Sequence, residues 1–205
     1  MNIHQRQLSL LDGDPSAPAP RRWTSDDLLR MDEAGLFGEG EQVELIGGEI
    51  IKMSPKGNRH ELVRSELSTF WGDRRGTKYK IAQEPPLHLG NHDEPEPDIV
   101  VHRSAERVYE VTGPSVLLVV EVSNSSLSYD LVVKASVYAA HGVRDYWVVD
   151  VRRLRVTVHR DPGADGYADV RTCDANEPLT PLLAPELGLR LADLDLGPLP
   201  DDSAG

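Results

Sequence analysis

The sequence predicts an α/β domain in which helices cover a mixed β-sheet, and three observations carry that reading. From Asn58 onward the apolar pattern runs in the order helix, strand, strand, strand, helix, strand. The stretch Val116–Val120 is continuously apolar and rich in β-branched residues, as a buried central strand requires. A strand that returns to its sheet through a helix pairs in parallel at least once, so the sheet mixes both senses.

The 205 residues suffice for one domain with a genuine core. Residues 1–22, broken by Pro15, Pro18 and Pro20, read as a flexible leader and not as a signal peptide. Residues 23–192 read as one domain, and 193–205 as an acidic flexible tail. No apolar run approaches the ~18–20 residues that span a bilayer, so no membrane association is expected. The default compartment is the cytoplasm. The single Cys173 excludes an internal disulfide and a multi-cysteine zinc site.

Each element has a local cause. Thr24 can cap a helix to Ala34, with Asp27 three residues on to complete a capping box. Val43–Ile46 and Glu49–Met53 flank Gly47-Gly48, a pair suited to a tight hairpin. Asn58 is placed as the cap of the next helix, which carries Leu62, Val63, Leu67, Phe70 and Trp71 and stops at Gly76. Strands follow at Tyr79–Gln83 and Asp98–His102, with a short extended piece at Leu87–Leu89. Asp130 to His141 reads as a largely buried helix closed by Gly142. Tyr146–Val151 is again a buried strand, in which Tyr146 and Trp147 serve the core, and Leu154–His159 alternates like an outer strand.

The net charge of −12 opposes bulk electrostatic coating of nucleic acid. The segment Lys52–Lys80 is different: eight Lys/Arg against three acids make it +5, so the remainder carries −17. Lys52, Lys56, Arg59 and Arg64 are its candidates for phosphate contact. A second basic cluster, Arg152, Arg153, Arg155 and Arg160, contains no acid.

Glu121 is the most informative position. It follows five apolar residues and precedes Val122, and a carboxylate in such a strand must be paired, protonated or metal-bound. Asp98 stands at the mouth of another apolar strand, after Pro97, which marks the strand's beginning. Two carboxylates at comparable ends of adjacent strands repel unless a cation lies between them. All-oxygen ligands favour Mg²⁺ or Mn²⁺, with the backbone carbonyl of Val122 as a further donor. Lys134 shares a helix face with Asp130 and Tyr138 at four-residue steps. Beside a metal-bound carboxylate its ammonium can orient water or stabilise developing phosphorane charge. Its alternative is a plain ion pair with Asp130. His60, at a helix start inside the basic stretch, and Glu44 and Glu49, around the Gly-Gly turn, are accessory candidates.

Pro97-Asp98, Glu121-Val122-Ser123, Asp130…Lys134…Tyr138 and Gly142-Val143-Arg144-Asp145-Tyr146-Trp147-Val148-Val149-Asp150 resemble the Uma-two family of restriction endonucleases, within the PD-(D/E)xK nuclease superfamily. Glu44-Leu45-Ile46-Gly47-Gly48-Glu49-Ile50, followed by Met53-Ser54-Pro55 and His60, looks like that family's N-terminal signature. The resemblance runs from about Trp23 to Arg160. It implies a restriction-endonuclease-like core of helix, three strands, helix and strand, preceded by a helix and a hairpin. It implies that Asp98 and Glu121 bind a divalent metal and that the substrate is nucleic acid, DNA in the first instance. The superfamily's lysine usually lies two residues after the glutamate, where this chain has Ser123, so the resemblance implies a lysine migrated to the next helix, Lys134. The expected activity is metal-dependent phosphodiester hydrolysis, with a homodimer suited to cutting both strands of a duplex. The alternative is an inactive nuclease-fold module that binds nucleic acid or a protein partner.

Overall fold

A computed structural model describes residues 20–198. Of the expected leader, residues 1–19 lie outside the described residues, as does the end of the chain from residue 199. Helix α1, Ser25–Glu33, begins as expected: the Thr24 hydroxyl accepts the Asp27 N–H at 3.1 Å and the Asp27 carboxylate accepts the Thr24 N–H at 3.2 Å. Strands β1, Val43–Ile46, and β2, Glu49–Lys52, form an antiparallel hairpin. Its turn needs glycine, since Gly47 and Gly48 have φ of +61° and +77°. A Cβ on Gly48 would also lie 2.7 Å from the Cβ of Arg22.

Helix α2, Asn58–Arg74, buries His60, Val63, Leu67 and Trp71 on one face. Its cap is Gly57, not Asn58, which is the first helical residue. The main sheet has the order β3-β4-β5-β6-β7-β8, formed by Tyr79–Gln83, Ile99–Arg103, Leu118–Ser123, Asp145–Asp150, Arg155–Gly163 and Gly166–Asp174. Only β5 and β6 pair in parallel, and the chain crosses between them through α3, residues 127–140. The expected mixed α/β sheet with its helix–three strands–helix–strand core is therefore present.

Alternation along the strands divides the core between the two faces. Ile99, Val101, Leu118, Val120 and Trp147 pack with Val63, Leu67 and Trp71 of α2, and with Leu179, Leu187 and Leu191 beyond the sheet. Val100, Val119, Tyr146 and Val148 pack with Ala135 and Tyr138 of α3. Tyr146 and Trp147 are core residues, as expected.

Three further expectations need correction. Leu154–His159 is not an outer strand, because β8 pairs along the far side of β7 and forms that edge. The β8 sequence, Gly166–Asp174, is mostly exposed and offers little apolar signal. Val132 and Val133 of α3 are exposed, so this helix buries a narrower face than its composition suggests. The acidic tail does not begin at 193, since Leu194 and Leu196 are buried in the core. No helix among the described residues is long and apolar enough to cross a membrane.

Candidate active site

The three strongest sequence candidates meet in one cleft. Asp98 precedes β4, one step beyond the Ile99–Val120 pairing, so it lies across from Glu121 on the α3 side of the sheet. Both are buried, at 4% and 3% exposure. Lys134 reaches them from α3 and is 3% exposed. The cleft is about 290 Å³ and is bounded by these residues, Glu44 and Met53 of the hairpin segment, Lys56, and Gly57 and His60 of α2.

A local irregularity orients α3. Residues Asp130–Lys134 form a π-helical turn between two α-helical pieces. Four residues slightly overshoot a turn of α-helix and fall short of a turn of the wider π-helix, so the offsets cancel. Asp130, Lys134 and Tyr138 are consequently all buried on the same side.

Lys134 Nζ lies 3.0 Å from Glu121 Oε1 and 2.9 Å from Glu44 Oε2. The plain pair with Asp130 does not form; Asp130 Oδ2 instead accepts hydrogen bonds from Ser123 Oγ at 2.7 Å and Ser126 Oγ at 2.6 Å. Tyr138 OH donates to Glu121 Oε1 at 2.9 Å. Asp98 Oδ2 accepts the Val122 N–H at 2.7 Å, while its Oδ1 lies 3.1 Å from His60 Nε2 and 3.4 Å from Lys56 Nζ. A strand residue turns its N–H and C=O to the same edge, so the Val122 carbonyl also faces the open end of β4.

Glu44 arrives because the hairpin is tied down. Leu45 exchanges backbone hydrogen bonds with Glu94, at 2.8 and 3.2 Å, and the Gly47 N–H donates to Asp93 Oδ1 at 2.6 Å. Glu44 is 2% exposed, whereas Glu49 is exposed and does not line the cleft.

Burial, opposed by Lys134 and reinforced by the carboxylates of Asp130, Asp98 and Glu44, raises the Glu121 pKa well above its ordinary value. Burial would lower that of Lys134, but Glu121, Glu44 and Asp130 outweigh it and keep the ammonium charged. Asp98 is also pushed up by burial, yet the hydrogen bond and charge of His60, the Lys56 ammonium and the Val122 N–H bring it below the usual value. Four buried carboxylates, Asp98, Glu121, Glu44 and Asp130, thus surround this cleft against the ammoniums of Lys134 and Lys56, an excess of negative charge.

That excess and the all-oxygen donors fit a hard divalent cation. Among the described residues no three His, Cys, Asp or Glu converge as a ready-made cage.

The candidate phosphate contacts separate. Lys52 lines the cleft but pairs with Glu41 at 3.0 Å, and Arg64 pairs with Glu61 and lies 3.8 Å from Glu84. Arg59 is half-buried on the first turn of α2 and does not line the cleft. Lys56 belongs to the site, held by Glu84 and Asp98. Sequence reasoning missed this contact, and the hydrogen bond from Tyr138 too, although the four-residue step from Lys134 to Tyr138 signalled the latter. It also missed Tyr129, which lines the cleft and whose phenol is pushed up to about 12 by burial and by Glu44.

A profile of the Uma2 family, described as "Putative restriction endonuclease", matches residues 25–194. The chain is structurally similar to a putative nuclease belonging to DUF820 from Anabaena variabilis, with TM-score 0.66 and 21% identity over 83% of this chain and 96% of that one. It also aligns with the type IIG restriction endonuclease BpuSI at TM-score 0.36 and 15% identity, over 53% of this chain and 12% of the other, too partial a likeness to support an argument. No curated protein matches the chain.

Proposed function

Because the chain belongs to the Uma2 family of restriction-endonuclease-like proteins, we propose that it is a metal-dependent endonuclease that hydrolyses phosphodiester bonds in DNA. The observation that carries this reading is the placement of Lys134 Nζ 3.0 Å from Glu121, with Asp98 across the strand pair.

In this reading Asp98, Glu121 and the Val122 carbonyl hold Mg²⁺ or Mn²⁺, with Glu44 as an additional carboxylate at the same cleft. The bound ion supplies Lewis-acid polarisation of the phosphate and a water of lowered pKa. Lys134, kept cationic by its carboxylate neighbours, donates hydrogen bonds to the attacking water and to the developing phosphorane oxygens. The new bond would join water oxygen to phosphorus as the bond to the leaving sugar oxygen breaks, the water's proton passing to solvent and the departing oxygen taking one from solvent. Tyr138 holds Glu121 in place, and His60 and Lys56 do the same for Asp98. Gly57 and His60, at the N-terminus of α2, line the cleft where helix-end N–H groups favour a phosphate. The reading places the protein in the cytoplasm and calls for two copies of the site wherever both strands of a duplex are cut.

A plasmid-nicking assay with Mg²⁺ or Mn²⁺ tests it. Wild-type protein should nick, and Glu121→Gln and Asp98→Asn should not. Wild-type protein that leaves plasmid and single-stranded DNA intact with either ion would overturn the catalytic reading in favour of an inactive binding module.

A further inference from the structure

Four of the eight cations of the basic segment are neutralised close to where they stand. Lys52, Lys56, Arg64 and Lys78 all pair with carboxylates. Arg75, Lys80 and Arg107 differ: all three are exposed, and none has a carboxylate partner among the described residues. Arg75 donates to the carbonyls of Gly76 and Tyr79, at 3.5 and 3.4 Å, and Arg107 donates to Tyr109 OH at 2.6 Å. The nearby Glu110 carboxylate accepts the backbone N–H of Arg107 and forms no ion pair with its guanidinium.

These three cations line a second groove, of about 530 Å³, over the paired strands β3 and β4, with Lys80 opposite His102. Val108 contributes an apolar wall, and Tyr109, 68% exposed, stands at the rim. Cations without an ion-pair partner beside an exposed aromatic ring are what single-stranded nucleic acid needs: charge for the backbone and a surface on which a base can stack. In a chain of net charge −12, such a place is where a polyanion can approach.

Strand β3 connects the groove to the cleft. Lys80 lies in the groove, and Glu84, four residues along the chain and about 13 Å away in extended form, pairs with Lys56 in the cleft. We infer that the groove binds the flank of a single-stranded nucleic acid whose cleaved segment lies in the Asp98–Glu121 cleft, with Arg75, Lys80 and Arg107 on phosphates and Tyr109 stacked on a base. This rests on the nuclease reading. A lysine on an edge strand can also serve to prevent sheet-to-sheet pairing, but that role does not require Arg75, Arg107 or Tyr109.

The test is fluorescence anisotropy of a short labelled oligothymidylate with the full chain in EDTA, across a salt series. Thermal midpoints serve to confirm that the exposed-residue variants fold. Replacing Arg75, Lys80 and Arg107 together by alanine should flatten the slope of log K against log salt by about 2, from roughly 0.7 per lost contact. Tyr109→Ala should weaken binding by about tenfold. Variants that bind like wild type, in a protein that still nicks plasmid, would overturn the groove alone. A triple variant that binds normally but self-associates would assign the cations to edge protection and likewise overturn it. Wild type that neither binds nor nicks would overturn both readings.

Discussion

Lys134 Nζ is shared between Glu121 and Glu44, at 3.0 and 2.9 Å, so one buried ammonium joins α3 to the central strand β5 and to the N-terminal hairpin. The arrangement ties chemistry and stability to the same atom. Glu121 and Glu44 tolerate burial because Lys134 is there, and Lys134 remains charged because they are.

Lys134→Met should therefore do two things. Removing one member of a buried charge cluster leaves the others uncompensated, at a cost of about 3–5 kcal/mol. The urea midpoint should fall accordingly, and Mg²⁺ should recover part of the loss by supplying positive charge in the cleft. A midpoint equal to wild type in EDTA would contradict the pairing.

Tyr138→Phe preserves the buried ring and deletes the hydrogen bond to Glu121 Oε1. The fold should persist while Mn²⁺ affinity, measured by calorimetry, falls by about 10–100-fold, the usual effect of removing a partner of a metal ligand. Unchanged affinity would mean that the orientation of Glu121 does not depend on this phenol.

Glu186 offers a pH prediction away from the cleft. Hydrogen bonds from Lys78 Nζ and Tyr79 OH, both at 2.7 Å, lower its pKa from 4.5 to about 2. A depressed folded-state pKa contributes stability above the ordinary carboxylate range and loses it as pH falls towards about 2. The neighbouring turn Pro185–Leu187 is held by Trp71, whose Nε1 donates to the Leu187 carbonyl at 2.8 Å. Tryptophan fluorescence should report loosening of this turn between pH 4.5 and about 2, and Glu186→Gln should remove that pH dependence. The same acid transition in the variant would place its origin elsewhere.

Asp145 is a structural counterpart to the cleft acids. It is 1% exposed and accepts hydrogen bonds from Arg160 Nε and Trp147 Nε1, both at 2.9 Å, and from the Leu182 N–H at 2.6 Å. Asp145→Ala should destabilise the protein by about 2–4 kcal/mol, because it strands the half-buried Arg160 guanidinium and two further donors. Denaturant unfolding measures this, and a loss below about 1 kcal/mol would contradict the assigned role.

Periodicity made the core legible wherever burial was one-sided or complete: α2, β4, β5 and β6 stand close to where their apolar residues place them. It failed where exposure erased the pattern. Strand β8 is held mainly by its ladder to β7, and its residues carry little apolar signal. Leu194 and Leu196 alternate with acids along the chain, which hides the core they fill. In the cleft, Asp98, Glu121 and Lys134 were visible as charges in apolar surroundings. Lys56 was not, because a lysine in a basic segment looks like a surface residue until Asp98 and Glu84 are folded against it. Glu44 and Glu49 were indistinguishable along the chain, and the docking of the hairpin on Glu94 separates them.

The central claim is that Asp98 and Glu121 form a divalent-metal centre. Isothermal titration calorimetry of Mn²⁺ and Mg²⁺ into wild type and Glu121→Gln tests it most directly, since the substitution removes a charge and changes the shape little. Wild type should bind saturably and the variant should not, with both proteins folded. Equal binding by the two, or none by wild type, would contradict it.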